Sequence, residues 1–167
     1  MTKKHTSYRT PVAKKPVVML WEMDGADIDE ANDETTILRE GATTDVPVYD
    51  LEERTAKFGE TVIEFLKRVP LGPRTNRLVD PLTGCGTSVG ANYCETDDAV
   101  SKKEFIKIVG TCRKEARESK FFLRMLAKAC PDLRDAAVTL WREAHELHLI
   151  FSRIRRTAQK NLAASGA

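Results

Sequence analysis

A chain of 167 residues with 41% hydrophobic residues is sized for one modest buried core, and its formal net charge of +2 hides an asymmetry. Residues 1–49 carry six Lys/Arg against nine Asp/Glu, net −3, while residues 50–167 carry 21 against 16, net +5; a basic domain behind an acidic leader points to a polyanionic partner. The early apolar run, Val17 to Trp21, falls short of the roughly 7–15 residues of a signal peptide and the roughly 20 of a membrane span, so a cytoplasmic protein without membrane contact is expected.

Residues 1–49 show no sustained hydrophobic period. They pass from a Lys/Pro-rich start through VVMLW to the acidic DGADIDEANDE and the turn-forming GATTDVP. Such a segment buries too little surface to offset the entropy of ordering it, and a mostly disordered N-terminal extension is expected. Val17 to Trp21, an apolar pentapeptide with a tryptophan, is the part placed to dock on a partner protein or on the domain itself.

From Asp50 the pattern turns helical. Leu51, Thr55, Phe58, Val62, Phe65 and Leu66 recur at three- and four-residue steps behind Asp50 as N-cap, and Pro70, Gly72 and Pro73 stop the helix. A second helix is expected to start between Asn76 and Leu82 and to run to about Asp98. Pro81 would either sit in its first turn or bend it. Gly84, Gly86 and Gly90 each disfavour a helix by up to about 1 kcal/mol relative to alanine, which points to close backbone packing there. Asn92 and Tyr93 are candidates for interhelical hydrogen bonds.

Ser101 and Glu104 form a capping box that opens the third helix. Phe105, Ile108, Val109, Cys112, Ala116, Phe122, Leu123, Leu126 and Cys130 cluster on one side at 100° steps. The opposite side carries Lys103, Lys107, Arg113, Lys114, Arg117, Lys120, Arg124 and Lys128, with Glu104, Glu115 and Glu118 on a flank. A fourth helix after Pro131 and Asp132 turns Leu133, Ala136, Ala137, Leu140, Trp141, Ala144, Leu147, Phe151 and Ile154 inward. Its far side holds Arg134, Arg142, Arg153, Arg156 and Lys160, with Glu143 and Glu146 flanking. Phe105, Phe122, Leu140 and Trp141 are expected to be nearly fully buried, and the flanking carboxylates to pair with arginines of neighbouring helices or subunits. The fold class is all-α: an antiparallel up-and-down four-helix bundle over 50–160, with a disordered tail over 161–167.

Ordinary solvated helices mix charges to gain i,i+4 pairs of about 0.2–0.5 kcal/mol each. A one-signed face forgoes some of that. Lys103, Lys107, Arg113, Lys114, Arg117, Lys120, Arg124 and Lys128, with Arg142, Arg153 and Arg156 of the fourth helix, are therefore the candidate nucleic-acid-binding residues. Few aromatic residues sit among them, so base stacking is not expected.

The same residues offer little for catalysis. Cys85, Cys94, Cys112 and Cys130 form no CxxC pair and read as reduced structural thiols. His145, Glu146 and His148 spell H-E-x-H, which is neither the Glu-x-x-His of a di-iron bundle nor the zinc motif H-E-x-x-H. No phosphate loop or nucleophile elbow is present. No enzymatic activity, cofactor or metal is expected.

The run TSVGANY, the serine-capped KKEFI and KEARES together resemble the bacterial four-helix bundle protein family. That family includes proteins encoded in intervening sequences of large-subunit ribosomal RNA genes, and accessory proteins of diversity-generating retroelements are more distant relatives. The resemblance runs from about Asp50 to Lys160 and rests on Ser88, Gly90, Ala91, Asn92, Tyr93, Glu95, Ser101, Phe105, Lys114, Glu115, Glu118 and Leu123. It implies a small homo-oligomer, a pentamer, with a surface that faces RNA or DNA, and it brings no catalytic residues. This chain departs from the family at Pro81, Gly84 and Cys85, where an uninterrupted helix with a basic residue and a serine is usual; nucleic-acid contact by the second helix is accordingly less expected. Two functions fit these residues: a nucleic-acid-binding accessory protein, or an oligomeric scaffold whose basic face meets acidic protein, its own leader included.

Overall fold

The computed structural model describes residues 50–165, all of whose regular structure is helical. The expectations for the leader, including docking by Val17 to Trp21, concern residues outside that range. Four α-helices follow in order: α1 (Leu51–Lys67), α2 (Asn76–Cys94), α3 (Lys102–Ala129) and α4 (Arg134–Ala164), with a 3-10 turn at Pro131–Leu133 before the last. Each helix packs on the next through a short connection, and α1 meets α4 over the smallest interface, so the chain forms a four-helix bundle.

Local chemistry sets the helix ends. Asp50 accepts the Glu53 amide at 3.0 Å and starts α1. At α3, Ser101 Oγ accepts the Glu104 amide at 3.2 Å, but the Glu104 carboxylate reaches back to the amide of Val100 at 3.0 Å, one residue beyond the reciprocal bond of a capping box. Helix α2 begins at Asn76, where Asn76 Oδ1 accepts the Gly72 amide at 2.9 Å and the Thr75 hydroxyl donates to the Pro70 carbonyl at 2.6 Å. Pro81 therefore lies inside α2, not in its first turn. The helix ends at Cys94, short of the expected Asp98, because both the amide and the hydroxyl of Thr96 turn back onto the Tyr93 carbonyl, at 2.9 and 2.6 Å. Helix α4 continues past Lys160 to Ala164, where Leu162, Ala163 and Ala164 favour helix, so the expected tail boundary at 161 moves outward.

The core of α1 is the expected one: Leu51, Thr55, Phe58, Val62, Phe65 and Leu66 are all buried. In α2, close approach to α1 accounts for two of the three glycines. A Cβ at Gly90 would stand 3.3 Å from the Thr55 carbonyl carbon and oxygen, and one at Gly86 would stand 2.9 Å from Val62 Cγ1. Gly84 meets nothing within 4 Å, so packing does not explain it. Asn92 donates within its own helix, to the Ser88 carbonyl at 2.7 Å. The interhelical contact of Tyr93 is a tilted ring contact with Phe151, centroids 5.6 Å apart.

On α3 the buried set is Val109, Cys112, Ala116, Ser119, Leu123, Leu126 and Ala127. Leu140 and Trp141 are buried as expected, whereas Phe105 and Phe122 are only half-buried. Phe105 borders a groove of about 320 Å³ between the α2–α3 connection and the end of α4, beside Ala158 and Asn161. Phe122 lies on the flank, edge to face with exposed Phe121. Ser119 takes a core position because its hydroxyl is satisfied there: Oγ donates to the Glu115 carbonyl at 2.9 Å and stands 3.3 Å from Cys85 Sγ on α2. Among the flanking carboxylates, Glu143 pairs across helices as expected. Arg54 on α1 holds it through two bonds, Nε–Oε1 at 2.6 Å and Nη2–Oε2 at 3.0 Å, where α1 and α4 have least packing to hold them.

Gly86→Ala gains about 1 kcal/mol of helix propensity but sets a methyl against the stiff, fully buried Val62, and overpacking of this kind costs about 1–3 kcal/mol. Net destabilisation is expected in urea unfolding. The double variant Gly86→Ala/Val62→Ala should be less destabilised than the sum of the two single variants, because removing the Val62 methyls removes the clash.

Candidate nucleic-acid interface

The outward side of α3 carries a straight stripe at alternating four- and three-residue steps: Lys103, Lys107, Gly110, Lys114, Arg117, Phe121, Arg124 and Lys128. A 3.5-residue spacing keeps these positions nearly in line along the helix, and from Lys103 to Lys128 the line is about 38 Å long at 1.5 Å per residue. Its six cations are all exposed. Glu118, beside the stripe, approaches Lys114 at 3.5 Å, an exposed i,i+4 pair of small energetic weight. Glu115 sits deeper, and burial, with the Glu118 charge, raises its carboxyl above the usual range while Lys114 opposes the shift.

Arg113 and Lys120 do not point outward with the rest. Both are half-buried along the edge that faces α4. Lys120 Nζ lies 2.9 Å from His145 Nδ1 and 4.8 Å from the centre of the Trp141 ring, on which the His145 imidazole stacks at 5.4 Å and 11°. An ammonium can only donate, so His145 Nδ1 is the acceptor. Lys120 thus joins α3 to α4 by a hydrogen bond and a cation–π contact. Arg142, Arg153 and Arg156 are all exposed on α4.

The two helices are brought together at one end of the stripe by Arg155, which the sequence pattern places on the core-side edge of α4 and does not single out. Its side chain crosses Gly110, where a Cβ would meet Arg155 Nε at 3.4 Å and Cδ at 3.7 Å. Around this crossing lies an open groove of about 450 Å³ lined by Lys103, Ile106, Lys107, Gly110, Thr111, Arg113, Lys114 and Arg155. Five of the eight lining residues are cationic, and none is acidic. The groove gathers four of the eight expected α3 residues with the unexpected Arg155; Arg142, Arg153 and Arg156 do not line it. The signal in the sequence is Gly110, a residue without a side chain in the middle of a basic face.

Several of the remaining titratable groups are held in their neutral forms. Burial pushes the Cys112 thiol up to about 12 and also raises Cys85, against a lowering contribution from the Ser119 hydrogen bond. Cys94 is exposed, Cys130 is half-buried, and all four cysteines are free thiols. His148 Nδ1 lies 3.2 Å from the Arg113 carbonyl and donates to it. Burial lowers the His148 pKa, the Arg113 carbonyl opposes that, and the cations of Lys120, Arg113 and Arg117 lower it further. Among the described residues, no group of three or more His, Cys, Asp or Glu is placed to hold a metal ion, and no helix is long and apolar enough to cross a membrane.

No family model and no curated protein matches the chain. Among solved structures it is similar to a protein of unknown function from the S23 ribosomal protein family of Bacteroides thetaiotaomicron, at 21% identity and a TM-score of 0.56, over 63% of this chain and 97% of that one. At that identity the likeness is one of fold. It agrees with a four-helix bundle of the size the resemblance implied.

A lowered His148 pKa makes folding sensitive to acid. The unfolded chain takes up a proton at the ordinary histidine value of about 6.5, whereas the folded protein takes it up only at lower pH. Stability is therefore complete above about 6.5 and declines as pH falls from there toward the folded value. The wild-type melting temperature should drop between about pH 7 and 5.5, and His148→Gln should flatten that drop. An equally steep drop in the variant would show that His148 is not the group responsible.

Proposed function

We propose that the protein is a non-enzymatic, homo-oligomeric nucleic-acid-binding accessory protein of the cytoplasm, binding phosphate backbone along α3 and in the groove closed by Arg155. The observation that carries this reading is the groove itself: five cations from two helices converge on one concave surface without an acidic neighbour in its lining. A solvated basic helix has no need to bring a second helix's arginine over a glycine. Phosphodiesters reward that arrangement, because each neutralised phosphate releases condensed counterions. Contacts of this kind position a backbone and do not read bases, so the binding is weakly sequence-selective. The groove lies on α3 and α4, and α2 contributes no lining residue, which suits the departure at Gly84.

Assembly multiplies the effect. A ring of identical subunits, a pentamer by the family resemblance, would set several stripes around one particle, and linked weak sites gain avidity without new contacts. Light scattering at micromolar concentration should return about five times the chain mass. A monomer would remove the ring from the reading.

Charge reversal tests the interface. Lys103, Lys107, Lys114 and Arg117 are exposed, so changing all four to glutamate should leave helical circular dichroism unchanged. It should weaken binding to every RNA and DNA sequence tried. The slope of log affinity against log salt should flatten by about 0.7–0.9 for each phosphate no longer neutralised. Lys120 is left out because it packs on His145 and Trp141. If the wild-type protein shows no salt-sensitive binding to either nucleic acid at low ionic strength, the scaffold reading, with acidic protein as partner, takes its place.

A further inference from the structure

The stripe on α3 contains one apolar side chain, and it is aromatic. Phe121 is 56% exposed, one turn from Arg117 and from Arg124, with Lys114 and Lys128 a heptad to either side. Its ring is braced by Phe122 in an edge-to-face contact, centroids 5.2 Å apart at 81°. A phenylalanine so exposed on a helix with a filled core opposite contributes little to folding. What covers it must also accept the cations around it. A second copy docking through the same stripe would set lysines and arginines against lysines and arginines, which is repulsive, and a ring neighbour docking through a different surface would have to bring carboxylates to all of these cations. An acidic peptide would meet the cations but offers no planar partner for the ring. A nucleic-acid duplex offers phosphates but keeps the faces of its bases stacked on one another.

A single strand offers both. We propose that this part of α3 takes single-stranded nucleic acid, with backbone phosphates on Lys114, Arg117, Arg124 and Lys128 and an unpaired base stacked on Phe121. This rests on the nucleic-acid reading and narrows it from any polyanion to an unpaired strand. It also replaces the expectation that stacking plays no part: aromatics are few in the basic face, but the one present stands in line with the cations. From Lys114 to Lys128 the stripe runs about 21 Å at 1.5 Å per residue. That length suits a site at the short end of the roughly 4–16 nucleotides that a single OB fold covers. Because every base has a face to stack, the site discriminates paired from unpaired strands without discriminating sequence.

The test measures anisotropy with a labelled single-stranded 12-mer, as RNA and as DNA, against the duplex of the same length at matched low salt. Phe121→Ala should lower single-strand affinity by roughly five- to a hundredfold, in line with the loss of one stacked base. Duplex affinity and the salt slope should stay unchanged, since no cation is removed. Phe121→Trp should retain the affinity and gain tryptophan emission that the single strand quenches and the duplex does not. The inference is overturned if Phe121→Ala leaves single-strand binding intact, weakens both forms equally, or changes the particle mass by light scattering, which would make Phe121 a subunit contact. In all three cases salt-sensitive binding by the wild type would leave the proposed function standing. Absence of such binding in the wild type would remove both.

Discussion

Helices α1 and α2 meet almost backbone to backbone, and the direction of everything α3 presents to solvent follows from that contact. With no side chain at Gly90, α2 settles to within contact of the Thr55 carbonyl, and with none at Gly86 it fits around Val62. Each glycine disfavours the helix by about 1 kcal/mol, while each large apolar side chain fully buried beside the contact stabilises by about 1.5–3 kcal/mol. Val62, Phe58 and Phe65 are buried here, so the contact wins. Once α2 is seated, Cys85 faces α3 and meets Ser119, a fully buried residue at the centre of that helix. The rotation of α3 about its axis is then set, and the stripe from Lys103 to Lys128 is turned away from the core. Arg54 and Glu143 close the remaining side, between the two helices that pack least.

That outward face is locally unfavourable. Lys103 and Lys107, and Arg124 and Lys128, are like charges four residues apart, Lys114 and Arg117 are three apart, and like charges at such spacings destabilise by a few tenths of a kcal/mol. The helix tolerates this because its inner side buries Val109, Cys112, Ala116, Leu123 and Leu126. Local preference and global fold usually agree in a natural protein, and departures from that agreement concentrate at functional surfaces. Glutamates at some of these positions would have supplied i,i+4 partners. They stand on the flank instead, where Glu118 takes Lys114 and Glu115 is half-withdrawn from solvent.

What is legible in the sequence is what is local. The Asp50 and Ser101 caps, the stripe of α1 and the break before α4 depend on residues within a turn or two of one another, and all four stand in the structure. The end of α2 escapes such a reading because Thr96 terminates the helix through its own hydroxyl, a device that a count of apolar positions does not register. Hydrophobicity alone puts Phe105 and Phe122 in the core, while Ser119 holds a core site because its own helix satisfies its hydroxyl. Arg155 is invisible for a different reason. Its importance is that Gly110 lies opposite it, and no single-helix pattern contains the opposite helix.

Arg155 also differs in kind from the lysines around it. On the proposed reading, each exposed stripe lysine would give up rotamer freedom, up to about 1.5–2 kcal/mol when fully fixed, to hold a phosphate. Arg155 is half-buried and laid across Gly110 before any ligand arrives, so less freedom remains to be given up, and its planar guanidinium suits two phosphate oxygens at once. The groove would therefore fix the position of a strand, while the stripe would add charge along its length. A larger side chain at position 110 would displace Arg155 without removing any cation. Position 110 thus separates a preorganised site from a merely basic surface, since net charge would be unchanged and only geometry altered.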